Sequence, residues 1–148
     1  MHKLWLGQIY PWAGCYRQVN LSKNGFPFAG ARQIPKLMEK FESHELKIYT
    51  PCHFTSFEKI IEAIAITHSE FILIHPFREG NGRAGRLLAS LMSLQANLPM
   101  LDFKSITGAG RKDYFLAIQA AVEHDYTPIQ KIFKKVIETT VSAYEKKQ

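Results

Sequence analysis

Cysteine is scarce: Cys15 and Cys52 are the only two in 148 residues. They are too few and too far apart for a disulfide framework or a zinc knuckle, so free thiols are expected. No apolar run approaches the roughly 20 residues that a spanning helix needs, which argues against a membrane partner. The opening segment, Met1 to Gly7, has one lysine but neither a long apolar stretch nor a small-residue cleavage site, so it does not read as a secretory signal and cytoplasmic synthesis is expected. Internal repeats, low-complexity tracts and linker-like shifts are also missing. A composition of 46% hydrophobic, 12% aromatic and 22% charged residues excludes disorder, collagen and coiled coil. The length suffices for one sizeable core and not for two, so a single domain over residues 1–148 with a single centre is expected. Acidic residues are in deficit, 13 against 19 Lys and Arg, for a net +6. That surplus invites a phosphate-bearing partner, whether nucleotide, nucleic acid or membrane surface.

Periodicity then assigns elements. Asn24-Gly25 sits between Cys15–Leu21, which partly alternates apolar and polar, and Phe26–Ala29. An Asn-Gly pair so placed predicts a hairpin, because both central residues of a type I′ turn need positive φ. Pro27 confines its strand to an edge. The remainder has helical period: Ile34, Leu37, Met38 and Phe41; Phe57, Ile61, Ile64, His68, Phe71 and His75; Leu87, Leu88, Leu91 and Met92; Tyr114, Ala117, Ile118, Ala121 and Val122; Ile129, Ile132, Phe133, Val136 and Ile137. Thr55 to Glu58 reads as a capping box, and Thr127 before Pro128 as an N-cap. Pro76 should end the central helix near His75. The expected fold is mainly α, with one hairpin presenting an open side.

The segment His75-Pro76-Phe77-Arg78-Glu79-Gly80-Asn81-Gly82-Arg83-Ala84-Gly85-Arg86 carries the chemistry. Two glycines around an asparagine let the backbone curl so that successive N–H groups converge, and at a helix start such a nest attracts phosphate. Arg83 and Arg86 share a face of the first turns; cations there oppose the helix dipole unless an anion sits between. Glu79 is the one hard oxygen ligand in the loop and suits magnesium that binds phosphate oxygens. His75 supplies a base suited to proton removal near neutrality. Together these residue types predict phosphoryl or nucleotidyl transfer. Each has a plainer reading taken alone: a solvated acid, a basic helix face, a simple turn. For His68 the plain reading, a hydrogen-bonded core histidine, is preferred. Gly80 to Gly85 also fits G-x-G-x-x-G after the apolar Phe71–Ile74, with Asp102 about twenty residues on. Five residues separate that run from Gly80, and the chain offers too few strands for a doubly wound sheet.

His75 to Arg86 resembles the Fic signature, H-P-F-x-(D/E)-G-N-G-R-x-x-R, at every fixed position. Ile9 to Gly14, Asn20 to Ala29 and the helix around Tyr114 extend the resemblance over about residues 8–140. It implies a Fic-type helical bundle with a hairpin flap, and transfer of AMP from ATP to a Ser, Thr or Tyr hydroxyl of a target protein, with release of pyrophosphate. By the same resemblance His75 deprotonates the hydroxyl, and Glu79 holds Mg2+ on the α- and β-phosphates. Gly80, Asn81 and Gly82 form the anion hole, while Arg83 and Arg86 take the β- and γ-phosphates. The flap, Ser22, Lys23, Asn24, Gly25 and Phe26, registers the target by main-chain pairing, with Lys23 and Phe26 bracketing nucleotide and target. Tyr114 has two readings, adenine pocket or core. Gly80, Gly82 and Arg83 favour adenylylation over the kinase-like chemistry of members that differ there. No Ser or Thr is followed four residues on by Glu, so the family's inhibitory motif is missing. The inhibitory glutamate opposite Arg86 is then expected from a separate antitoxin or from a segment before Met1. The resemblance places the chain with bacterial toxins and with effectors delivered to host cells. From a different class, Lys131, Lys134, Lys135, Lys146 and Lys147 suggest a nucleic-acid-binding face, but no interleaved aromatics accompany them and a solvated helix face is preferred.

Overall fold

The computed structural model describes residues 2–146. A short helix α1 (His2–Leu6) leads into irregular chain and a two-stranded antiparallel hairpin, β1 (Ser22–Lys23) and β2 (Phe26–Pro27). Ser22 pairs with Pro27 and Lys23 with Phe26. Asn24 and Gly25 take φ of 51° and 79°, the left-handed geometry expected of their turn. The strands are shorter than the alternation of residues 15–21 suggests. Arg17 contributes to this: its side chain is buried and its backbone N–H donates to the Pro76 carbonyl, which turns the start of that segment away from the hairpin, while Leu21 still accepts the Phe28 N–H at 3.0 Å.

Helix α2 (Ile34–Phe41) continues through a wide π-type turn at Glu42–Leu46 into α3 (Lys47–Tyr49). The central helix α4 (Phe57–Ile74) follows, then α5 (Asn81–Gln95), α6 (Lys104–Thr107), α7 (Arg111–Ala120) and α8 (Thr127–Glu145). The result is the mainly α bundle with one hairpin that the periodicities predict.

Helix α4 is buried nearly all round, including Ile60, Ala63, Ala65, Thr67 and Ile72 outside the single stripe read from sequence. A helix apolar on every side belongs at the centre, and α4 packs chiefly on α5 and α8. Ser56, not Thr55, is its N-cap, because Ser56 adopts the extended conformation (ψ 129°) and accepts the Lys59 N–H at 3.3 Å. Likewise Thr127 is already helical; Asp125 Oδ1 accepts its N–H at 3.0 Å from just outside α8. Packing decides the place of α8. Ile129, Phe133, Val136 and Ile137 are all at most 1% exposed, and burial of each contributes roughly 1.5–3 kcal/mol, more than a cap. Both cysteines are free, Cys15 exposed and Cys52 buried. Burial raises the Cys52 thiol to about 11, which leaves it an inert core group.

Candidate active site

Helix α4 ends because Pro76 cannot continue it. His75 closes it in the left-handed conformation, φ 52° and ψ 57°, with its N–H on the Phe71 carbonyl at 3.0 Å. Its Nδ1–H donates to the Ile72 carbonyl at 3.1 Å, which leaves Nε2 as the unprotonated nitrogen. The Phe28 ring stacks on the imidazole at 3.7 Å and 10°. Burial is the main reason its pKa falls to about 4; the Arg17 and Lys23 charges add to it, while the Ile72 bond and Glu79 oppose it. At neutral pH His75 is therefore a free base.

The loop from Phe77 to Asn81 is closed by Asn81, whose Oδ1 accepts the Phe77 N–H and whose Nδ2 donates to the Phe77 carbonyl, each at 2.8 Å. The Asn81 side chain is thus turned inward and shapes the loop; what it offers a ligand is its backbone. Gly80 precedes α5 with φ 86°, and its carbonyl accepts the Ala84 N–H at 2.9 Å, the first bond of the helix. The amides of Asn81, Gly82 and Arg83 lie ahead of that bond, at the positive end of a 15-residue helix.

A cavity of about 590 Å³ opens over this helix end. It brings together Ser22, Lys23, His75, Glu79, Gly80, Asn81, Gly82, Arg83, Arg86 and Tyr114, contributed by the hairpin, the end of α4, the loop, α5 and α7. Asn24 and Gly25 stand at the hairpin tip outside it. Phe26, expected to bracket the nucleotide, is also outside, edge-on to Phe28 at 5.9 Å and 84°. The aromatic residue of this segment that lines the cavity is Phe28, just past β2, which periodicity does not single out. Arg78 and Arg111 also line it, giving Lys23, Arg78, Arg83, Arg86 and Arg111 against Glu79 as the only acid among the described residues. Such a balance suits a polyanion.

Arg83 Nη2 lies 3.5 Å from Glu79 Oε1, and its guanidinium rests over Trp5 at 4.4 Å. Lys23 Nζ stands 4.4 Å over the Phe115 ring, and its pKa is lowered by burial, Arg111 and Arg86 against the opposing pull of Glu79. Tyr114 is buried, and it also lines the cavity. Its hydroxyl donates to His68 Nε2 at 2.7 Å, while His68 Nδ1–H donates to the Gly85 carbonyl at 3.1 Å. Burial depresses His68 to about 4, so the hydrogen-bonded core reading holds for it.

From behind, α1 braces the loop. His2 is buried, accepts the Gly14 N–H at Nδ1 and donates from Nε2 to the Glu79 carbonyl, both at 2.9 Å, and stacks on Phe77. No sequence signal marks His2, Trp5, Arg17, Phe28 or Arg111, because each reaches the site from a distant segment. Among the described residues no three His, Cys, Asp or Glu side chains could hold a metal together. Glu79 is the one carboxylate of the described residues on the cavity, and it is exposed enough to take a cation. The set therefore fits a magnesium that keeps most of its other ligands as water and phosphate oxygens.

Lys131, Lys134 and Lys135 of α8 and Lys146 just after it are exposed and do not line this cavity, and Lys134 Nζ lies 4.0 Å from Glu138 Oε1. Lys147 lies outside the described residues. No helix among the described residues is long and apolar enough to cross a membrane.

This helix-capping loop, the base before it and the hairpin beside it define a Fic fold, and the chain belongs to the Fic/DOC family, whose sequence model matches residues 1–93. It is similar to the protein adenylyltransferase Fic of Nematostella vectensis, with 28% identity over 97% of this chain and 32% of that protein. It is also similar to the probable protein adenylyltransferase Fic of Escherichia coli (strain K12), with 27% identity over 93% of this chain and 66% of that protein. The chain thus spans about a third of the first relative and about two thirds of the second. Among solved structures, BepC, a VirB-translocated effector of Bartonella tribocorum with bound AMPPNP, shares the fold at a TM-score of 0.73 and 24% identity. That match covers 91% of this chain and 70% of BepC.

Proposed function

We propose that this chain is a protein adenylyltransferase, which moves AMP from ATP to a Ser, Thr or Tyr hydroxyl of a target protein and releases pyrophosphate. The observation that carries the reading is a neutral, half-buried histidine on the same cavity as an open helix N-terminus and five cations. The adenylyltransferase names of the relatives and the AMPPNP in BepC support it.

In this mechanism His75 Nε2 takes the proton of the target hydroxyl. The hydroxyl oxygen then bonds to the α-phosphorus, and the bond to the bridging oxygen breaks toward pyrophosphate. The amides of Asn81, Gly82 and Arg83, with the Arg83 and Arg86 guanidinium groups, hold the phosphate oxygens and neutralise charge as it shifts to the leaving group. Magnesium, when bound, neutralises phosphate charge as a Lewis acid. Glu79 would hold it, and for that its contact with Arg83 must loosen, leaving Arg83 free to turn to phosphate. The open edge of the hairpin, with Lys23 beside its turn and Phe28 at its base, takes the target segment by strand addition. Arg86 pairs with no carboxylate among the described residues, so an antitoxin bearing an inhibitory glutamate has a free cation to meet. The toxin or effector role belongs to the same proposal.

The test is label transfer. ATP labelled on the α-phosphate, with magnesium, marks a lysate protein or the chain itself, and His75→Ala abolishes the mark. Transfer of the γ-label would replace this reading with a kinase.

A further inference from the structure

Arg17 is only 3% exposed, yet it has no carboxylate partner among the described residues. Its guanidinium is spent entirely on backbone carbonyls. Nε donates to His75 at 2.7 Å, Nη1 to Val19 at 2.6 Å, and Nη2 to Ala29 at 2.5 Å and Ile74 at 3.3 Å. A buried cation without a counter-ion is costly unless its donors are all engaged, and a rigid planar fork can engage them where an ammonium on a flexible stem does not. Two of its acceptors, Ile74 and His75, are terminal carbonyls of α4, where the helix dipole favours positive charge. The other two stand on either leg of the hairpin, before β1 and after β2. Backbone bonds repeat the pattern: Arg17 N–H to Pro76 at 2.9 Å and Ala29 N–H to Leu73 at 3.2 Å.

We propose that Arg17 is a positioning residue that locks both legs of the hairpin to the backbone of His75, so that a hydroxyl carried on the hairpin edge is delivered in register with Nε2. The role rests on the adenylyltransferase reading; the clasp itself does not. Arg17 touches none of the groups at the start of α5 that would hold the phosphates. Its loss should therefore uncouple hairpin from base and leave nucleotide binding intact, whereas a merely structural arginine would weaken everything together.

Amide hydrogen exchange and steady-state kinetics on Arg17→Met, with Arg17→Lys as the better-folded second variant, separate the two. The expected result is a loss of protection of roughly ten-fold or more at Phe28 and Ala29, beyond any change in the α8 core amides. In AMP transfer kcat should fall about ten-fold while KM for ATP stays within about two-fold. Loss of protection by one common factor at hairpin and α8, or unchanged protection in both variants, overturns the proposal. So does a rise in KM for ATP at unchanged kcat. If the wild-type chain transfers no AMP, the proposed reaction fails, and the exchange pattern alone then decides whether Arg17 is the clasp.

Discussion

Lowering the pH from 7 to 5 should strip the fold of much of its stability, and two histidines account for it. His68 and His75 each fall from an ordinary 6.5 to about 4, in both cases chiefly through burial. Between those values the unfolded chain binds more protons than the folded one, so stability rises with pH across that window and is lost as pH falls through it. Above 6.5 both groups are neutral in either state and the loss vanishes. Integrating the linkage for a midpoint moved from 6.5 to about 4 gives about 2 kcal/mol per histidine between pH 7 and pH 5, or about 4 kcal/mol for the pair. Against a total of roughly 5–15 kcal/mol that is a large fraction. With a urea slope of roughly 2 kcal/mol per molar, the unfolding midpoint should fall by about 2 M. Urea titrations at the two pH values, with imidazole NMR titrations alongside, make the check. A midpoint shift under about 0.5 M, or ring titrations near 6.5, would refute the claim that both rings are held neutral by burial.

Removing the Tyr114 hydroxyl with Tyr114→Phe leaves His68 Nε2 a buried acceptor without a donor, and should cost about 1–3 kcal/mol in denaturant unfolding. In Gly85→Ala the added Cβ would meet Ile72 Cδ1 at 2.9 Å and His68 Cε1 at 3.2 Å. The Ile72 methyl can swing aside but the doubly hydrogen-bonded ring cannot, so a loss of about 1–3 kcal/mol is expected despite the better helix former. Phe28→Ala removes the stack on His75 and should slow AMP transfer about three- to ten-fold with KM for ATP unchanged, as measured by steady-state kinetics. For Arg86→Ala the affinity for an ATP analogue should drop about ten- to hundred-fold by calorimetry, since bonds to charged groups are worth about 1.5–3 kcal/mol.

Legibility from sequence followed distance along the chain. His75 to Arg86 could be read because loop, base and anion-binding helix start are contiguous, and Asn24-Gly25 because a type I′ turn is a two-residue matter. Phe28 stacks on a histidine 47 positions away, and Arg17 donates hydrogen bonds to carbonyls 57 and 58 positions away. Nothing local distinguishes either from a core phenylalanine or a surface arginine. The alternation of residues 15–21 misled for the same reason: it takes no account of a cation pulled inward by the end of another helix. Asn81 shows the converse limit, since the signature marks the position but not that its amide group faces the loop while its backbone faces the cavity.

Tandem mass spectrometry of a target incubated with the chain, ATP and magnesium tests the central claim most directly. The account predicts an AMP group esterified to a hydroxyl side chain, absent when His75→Ala replaces the wild type. A lone phosphate on that hydroxyl, or an AMP adduct that persists in His75→Ala, would contradict it.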